Sequence, residues 1–290
     1  MSAKPEIRVA GRSDAEAIAA MYQETWPIHW ETPECVLRQF DKLGTIGGQV
    51  LIALEGARVV GHCEFVPVRE PEPRGFWGCL EALEVHRERY RRGIGTALVR
   101  EAIRRAQALG CTSFGSSPDD ERSEGLYRKC GMTRVERSIT TNFAIVGEAA
   151  RPDAELVEEL SPAARPWEEL LHVLGRFSAL PYLWSLAFDR KQRGEGGCEN
   201  AFAERVRLEG ADAVVFYEGF WLHVLLPPER AADGGLARRA VAYAASRIKA
   251  LGDESFWTVM PFPLADAVRS VPGIYPTEGR FHFHMWMSLE

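Results

Sequence analysis

Residues 80–110 read LEALEVHRERYRRGIGTALVREAIRRAQALG. A short apolar stretch, LEALEV, has strand character. It gives way to a basic loop in which Arg91-Arg92-Gly93-Ile94-Gly95-Thr96 leads into apolar residues at helical spacing. That helix ends at Gly110, a residue suited to the position just past a helix terminus. Glycines at 93 and 95 permit a tight turn and let a ligand come close to main-chain N–H groups. The first N–H groups of a helix have no intrahelical partners, and the helix dipole adds to them, so the segment is an anion site suited to pyrophosphate. Thr96 contributes a hydroxyl, and Arg91 and Arg92 contribute charge. A G-x-G before a helix also reads as plain turn chemistry. No Gly-Lys-Ser/Thr follows, which excludes a Walker loop, and the third glycine of a dinucleotide fold is missing.

On the N-terminal side, the sequence predicts a strand over 7–10 and a helix over 14–26 with Ser13 as its N-cap. A second helix begins at Pro33, and a hairpin turns at Glu55-Gly56. An antiparallel meander thus precedes the anion loop, unlike a dinucleotide-binding fold. On the C-terminal side follow a strand (111–117), a short helix closed by Gly131, and a final strand pair over 133–146. Residues 148–156, EAARPDAEL, read as a domain boundary. Beyond it the sequence predicts a helix over 161–177 with Ser161 as N-cap, an apolar stretch at 180–188 and a Gly-rich loop at 189–200. Then come strands at 213–218 and 220–226, a helix at 236–252, a strand at 254–260, a short helix at 265–271 and a last strand at 280–289. Residues 223–252 lie over residues 80–110 as strand, Gly-containing loop, helix and terminal Leu-Gly, an internal repeat.

At 290 residues the chain has room for two domains, each with its own core. A net charge of −6 argues against a nucleic-acid surface, which needs clustered Lys and Arg. The six cysteines show neither C-x-x-C pairs nor zinc spacing, as expected of thiols in a reducing compartment. The N-terminus has no apolar signal core, and the best apolar run, AVVFYEGFWLHVLL, is short and broken by Glu218 and Gly219. A cytoplasmic protein with no membrane partner is expected. His282-Phe283-His284 has the look of a metal pair without a third ligand and is read as one face of a strand, so no metal is expected.

Three linked segments carry a resemblance: Leu80–Val85, Tyr90–Thr96, and Leu126-Tyr127-Arg128-Lys129-Cys130-Gly131-Met132. Their order and spacing resemble the GNAT superfamily of acetyl-CoA-dependent N-acetyltransferases, over about Ile7 to Val146. Tyr90 stands where the family has Gln or Arg, Asp120 where it often has Asn, and Met132 where it has Phe. The resemblance implies an α/β, mixed α+β fold with a central, mostly antiparallel mixed sheet flanked by helices. It places a catalytic domain at 1–147 and a degenerate GNAT-like domain at 148–290.

The implied chemistry is transfer of an acetyl group from acetyl-CoA, the acyl-donor substrate, to a primary amine of a small molecule by direct transfer in a ternary complex. Acetylation of a protein N-terminus or lysine, and a non-catalytic acyl-CoA sensor or scaffold, are the alternatives. By resemblance, Leu83 and Val85 pair through their backbones with the pantetheine arm. Arg91, Arg92, Gly93, Ile94, Gly95, Thr96 and Asp120 complete the CoA site, Asp120 alternatively capping a helix. Glu81 is the base, expected by strand alternation to share a face with Leu83 and Val85, with Glu84 on the other face. The resemblance puts Tyr127 near the sulfur as the acid, its alternative being a packing residue. An acceptor pocket is expected around Tyr22, Trp26, His29, Trp30 and Glu31, an aromatic cluster with one carboxylate that suits a cation or equally packs two helices. In the second half Asp233 brings negative charge where phosphates would sit, and no Leu-Tyr-x-x-x-Gly-Met counterpart follows. Completing a sheet, walling the acceptor pocket or forming a homodimer contact are the roles left to it.

Overall fold

The computed structural model describes residues 5–25, 32–147, 152–195 and 197–289. In chain order these form β1 (Glu6–Val9), α1 (Ala15–Thr25), α2 (Pro33–Thr45), β2 (Gln49–Glu55), β3 (Arg58–Arg69), β4 (Phe76–Val85), α3 (Ile94–Ala108), β5 (Ser113–Ser116), α4 (Glu121–Lys129) and β6 (Arg134–Ile145). There follow β7 (Glu155–Glu159), β8 (Leu171–Leu174), α5 (Leu180–Arg193), β9 (Phe202–Leu208), β10 (Ala211–Tyr217), β11 (Leu222–Leu226), α6 (Gly234–Ala250), β12 (Ser255–Pro261), α7 (Phe262–Arg269) and β13 (Ile274–Ser288). Among the described residues no helix is long and apolar enough to cross a membrane.

One compact unit comprises Met1–Val68, Phe76–Arg134 and Met285–Glu290, and the other Arg69–Gly75 and Val135–His284. The division falls at 134/135 and exchanges two short segments, where the sequence boundary was placed at 147/148.

In the first unit the strand order is β1-β2-β3-β4-β5, followed by the end of β13, where Met285 lies opposite Ser116. β1 and β2 pair antiparallel, as do β2 and β3, whereas β4 and β5 are parallel. Val50 to Leu54 are all buried, as a strand covered on both faces requires. Thr32 caps α2, accepting from Cys35 N–H at 3.3 Å, and Pro33 fits the first turn because no N–H is needed there. Ser13 is not the cap of α1. The chain enters through a 3₁₀ turn, Arg12–Asp14, in which Gly11 N–H donates to the Asp14 carboxylate at 2.8 Å.

In the second unit a five-stranded sheet runs β7-β9-β10-β11-β8. β10 shows how it is covered. Ala213, Val215 and Tyr217 pack in the cluster with α6, while Val214 and Phe216 pack with Trp184 of α5. β12 pairs antiparallel with β6, which is one 12-residue strand and not the expected pair, since no turn residue interrupts it. The expected helix over 161–177 is instead a 3₁₀ turn, Pro166–Glu168, followed by β8. Pro162 and Pro166 stop a helix there, and pairing with β11 overrides the apolar spacing of LHVL. Residues 180–193, read as an apolar stretch and part of a loop, form α5, which starts with Pro181 and ends at Gly194 in the left-handed conformation.

Both units repeat the order strand, 3₁₀ turn, helix, strand, helix, strand, from β4 to β6 and from β11 to β13. The repeat extends to side chains. Ser116 Oγ of β5 donates to Leu80 O of β4 at 3.4 Å, and Thr258 Oγ1 of β12 donates to Leu222 O of β11 at 3.0 Å, each pair 36 residues apart.

Candidate active site

Gly78 of β4 lies beneath α3, since a side-chain carbon there would stand 3.0 Å from Ala106 Cβ. Val85 faces the same helix, its Cγ2 3.7 Å from where a side chain on Gly95 would begin. Seven residues separate Gly78 from Val85, and a regular strand would put them on opposite faces. The hairpin register supplies the reason. Glu70 N–H donates to Gly75 O and His86 N–H to Val60 O, so β3 advances ten residues while β4 advances eleven. β4 therefore carries a bulge, and Ala82, with φ of 20°, is its strained member. Side-chain alternation resets there. Leu83 and Val85 point toward α3, whereas Glu81, on the face of Cys79, points away. The expectation that Glu81 shares a face with Leu83 and Val85 is overturned, and Glu84 falls on the face of Glu81.

β4 also outruns its neighbour. The parallel ladder ends at Cys79↔Gly115, and β4 continues six residues further, leaving one edge of Leu80–Val85 without β5. Tyr127 stands at this parting of the strands. Its ring is buried in α4 and its hydroxyl hydrogen-bonds with Ser116. Burial pushes the phenol well above its ordinary pKa, so it keeps its proton. Cys79 lies within electrostatic reach of Tyr127 and donates its thiol hydrogen to Glu81 Oε1 at 3.2 Å. One thiol thus connects the surroundings of the expected base and the expected acid.

The loop after β4 is pinned before it reaches α3. His86 Nε2 hydrogen-bonds with Glu24 of α1 at 2.9 Å, and Arg89 Nε donates to Glu55 at 2.8 Å. Arg91, at φ 65°, and Gly93, at φ 81°, are both left-handed, turning the chain sharply into α3. Gly93 holds the N-cap position with no side-chain cap, and a Cβ on it would meet nothing within 4 Å. Arg91 and Arg92 are exposed, Ile94 and Gly95 are buried, and Thr96 is half-buried. The two glycines do different work. Gly93 supplies the left-handed turn and open space, whereas a side chain on Gly95 would stand 2.8 Å from Leu126 Cδ1 of α4. Gly95 therefore lets α3 and α4 approach.

Asp120 takes the capping role, accepting from Arg122 N–H at 3.0 Å and Ser123 N–H at 2.8 Å. The Ser123 amide holds its carboxyl below the usual carboxylate range. Of the expected acceptor residues, Trp26, His29, Trp30 and Glu31 lie outside the described residues. Tyr22 is described, and its hydroxyl is 3.0 Å from His62 Nδ1. His62 and Glu64 were missed from sequence, although two polar residues at alternate positions of an otherwise apolar strand, HCEFV, were the available signal. His282 and His284 have adjacent rings, and His284 stacks on Phe177 with centroids 4.3 Å apart.

The second unit closes the corresponding place. Asp233 caps α6, accepting from Leu236 N–H at 2.9 Å, and this amide with Arg230 holds its carboxyl below the usual range. Side-chain alternation along β11 is unbroken, with Leu222, Val224 and Leu226 in one cluster and Leu225 in the other. α7, FPLADAVR, has no tyrosine.

The acetyltransferase (GNAT) family model matches residues 15–132. No curated protein matches the chain. Two solved structures share the fold along almost its whole length. A proposed acetyltransferase from Pyrococcus horikoshii, 14% identical, aligns at a TM-score of 0.54 over 99% of this chain and 90% of its own. A GCN5-related N-acetyltransferase from Anabaena variabilis, 12% identical, aligns at 0.62 over 99% and 73%. Residues 15–132 thus match the acetyltransferase (GNAT) family model, and the chain has the fold of these two structures.

Proposed function

We propose that the domain of residues 1–147 transfers the acetyl group of acetyl-CoA to a primary amine of a small molecule, directly within a ternary complex. Residues 148–290 are a degenerate GNAT-like domain that binds no CoA. The observation that carries this reading is the uncapped start of α3, left open by Gly93, next to a strand edge that β5 leaves unpaired. Main-chain N–H groups of Gly93, Ile94, Gly95 and Thr96 would hold the diphosphate, with Arg91 and Arg92 adding charge. The backbones of Leu83 and Val85 would hold the pantetheine amides as an added strand does. Bound there, acetyl-CoA supplies the thioester.

The protein's own groups then manage two protons. An alkyl ammonium must lose a proton before it can attack, at a cost of about 4–5 kcal/mol at neutral pH. Glu81 would receive it, directly or through water. Tyr127, kept protonated by burial, would give its proton to the departing sulfur. Orientation of amine and thioester supplies much of the rate.

Free-thiol release from acetyl-CoA across amines, polyamines, amino acids and peptides tests the reading. Turnover with small amines supports it. Turnover with peptides alone moves the acceptor class to proteins, and CoA binding without any turnover leaves only a sensor.

A further inference from the structure

The face of the first sheet that carries Glu81 holds a second polar group, buried where apolar side chains would serve packing better. Glu64 of β3 is 4% exposed and His62 is 2% exposed. Gln39 Nε2 from α2 donates to both Glu64 oxygens, at 3.0 and 2.8 Å. His62 Nε2 lies 3.6 Å from Glu64 Oε1, and its Nδ1 is 3.0 Å from Tyr22 Oη of α1. These are the partners of Glu64 among the described residues, and none is a Lys or Arg. A buried carboxyl group held, among the described residues, by an amide and an imidazole and by no cation is a costly arrangement to keep for packing alone.

The register places this pair beside the proposed base. Glu70 lies opposite Gly75, so six residues back along β3 and six forward along β4 bring Glu64 opposite Glu81, before the bulge at Ala82. Directly opposed residues share a face, with Cβ atoms about 4.5–5.5 Å apart. The odd-numbered residues of β3 face α3, as Gly61 does beneath Ile94 and Leu98, which leaves His62 and Glu64 on the face of Cys79 and Glu81.

We infer that the Glu64–His62 pair receives the proton that Glu81 takes from the acceptor ammonium, returning Glu81 to its ionised form; this rests on the acetyltransfer reading above. The N–H bond of the ammonium breaks and its proton passes to a Glu81 oxygen. It then moves to Glu64 Oε1 and on to His62 Nε2, with no change of oxidation state. The relay requires the tautomer in which Nδ1–H donates to Tyr22 Oη, which leaves Nε2 able to accept the proton on the Glu64 side. The loaded pair, an imidazolium beside a carboxylate, is neutral overall. His62 and Glu64 act through Glu81 and are positioning residues. Among the described residues, the ionisable groups facing them are Tyr22 from α1, Cys79 and Glu81 from β4; α2 presents Gln39, and β2 presents Val50 and Ile52 opposite them.

The test is the pH profile of kcat/KM for the best amine found by thiol release, in wild type, Glu64→Gln and Tyr22→Phe. Glu64→Gln is expected to fall on the order of tenfold at neutral pH, less than loss of a direct acid or base costs. It should converge with wild type toward roughly pH 9.5, where the amine begins to shed its own proton. KM for acetyl-CoA should stay within about twofold. Tyr22→Phe retains His62 and Glu64 and should displace the rising limb in the same sense, so it decides the matter where Glu64→Gln does not fold. A superimposable profile, or an equal loss at every pH, overturns the relay alone. Absence of wild-type turnover overturns the relay together with the acetyltransfer reading.

Discussion

Arg230 grips Asp233 through Nε at 2.8 Å, fixing a carboxylate over the start of α6 in the position where α3 has Gly93. The two helices follow strands and 3₁₀ turns of the same order, yet one start is closed by the protein's own anion and the other is open. The contrast concerns charge as much as shape. An aspartate at the cap satisfies the same N–H groups that a diphosphate would need, and repels the diphosphate as well.

Gly93→Asp should therefore bring to the first helix start the negative charge that the second carries. At a hundred times its dissociation constant, CoA should stabilise the wild-type protein by about 2.7 kcal/mol, measured by calorimetric unfolding. In Gly93→Asp the shift should vanish, and the left-handed φ of 81° should also cost the unliganded protein about 1–2 kcal/mol of stability. A variant that still shifts with CoA would show that the diphosphate sits elsewhere.

The contact between Gly95 and Leu126 predicts a different defect. A methyl group at Gly95 would stand 2.8 Å from Leu126 Cδ1 and displace that side chain, the neighbour of Tyr127 on α4. Overpacking of this kind costs about 1–3 kcal/mol. Gly95→Ala should lower kcat more than it weakens CoA binding. Adding Leu126→Ala should restore part of both stability and rate, and a double variant as impaired as the single one would refute the steric account.

For Tyr127→Phe the expected signature is a fall in kcat of about 100-fold with CoA affinity retained, because the ring still fills its buried site while the proton donor is gone. Titration calorimetry with CoA and thiol release on the same preparation separate the two. Loss of affinity and rate together would assign Tyr127 to packing.

The second unit should be acid-sensitive. His172 Nε2 and His223 Nδ1 are 3.1 Å apart, and His223 Nε2 donates to Glu218, which pairs with Arg176. Burial holds His172 and His223 below their ordinary pKa and pushes His284 down to about 3. Above pH 6.5 these imidazoles are neutral both folded and unfolded. As pH falls below 6.5 only the unfolded chain takes up the protons, so stability is lost progressively toward the folded pKa. Each histidine still neutral at pH 5 costs about 2 kcal/mol there. Melting temperatures between pH 7.5 and 5 should drop, less steeply in His284→Gln; a flat profile would contradict the burial argument.

Much of the first unit was legible because its signals are local. Thr32-Pro33, the Glu55-Gly56 turn and the Gly93 start of α3 each sit where the sequence indicated. In the second unit the misreadings lie where pairing overrode spacing. LHVL has apolar residues that fit a helix or a strand, and β11 selected the strand. The bounds of α5 do have local signals, Pro181 in its first turn and Gly194 just past its end.

By itself the sequence determined most elements of the first unit and the glycine turn that opens α3, because glycine's conformational freedom and a helix's unpaired N–H groups are properties of a few adjacent residues. It also contained the reason the second copy is closed, a single aspartate at a helix start. Tertiary structure decided which face each side chain of β4 takes, because one extra residue at Ala82 resets an alternation that the sequence shows as unbroken. It likewise decided that Glu64 stands opposite Glu81, a relation set by hairpin register between strands and carried by no local pattern.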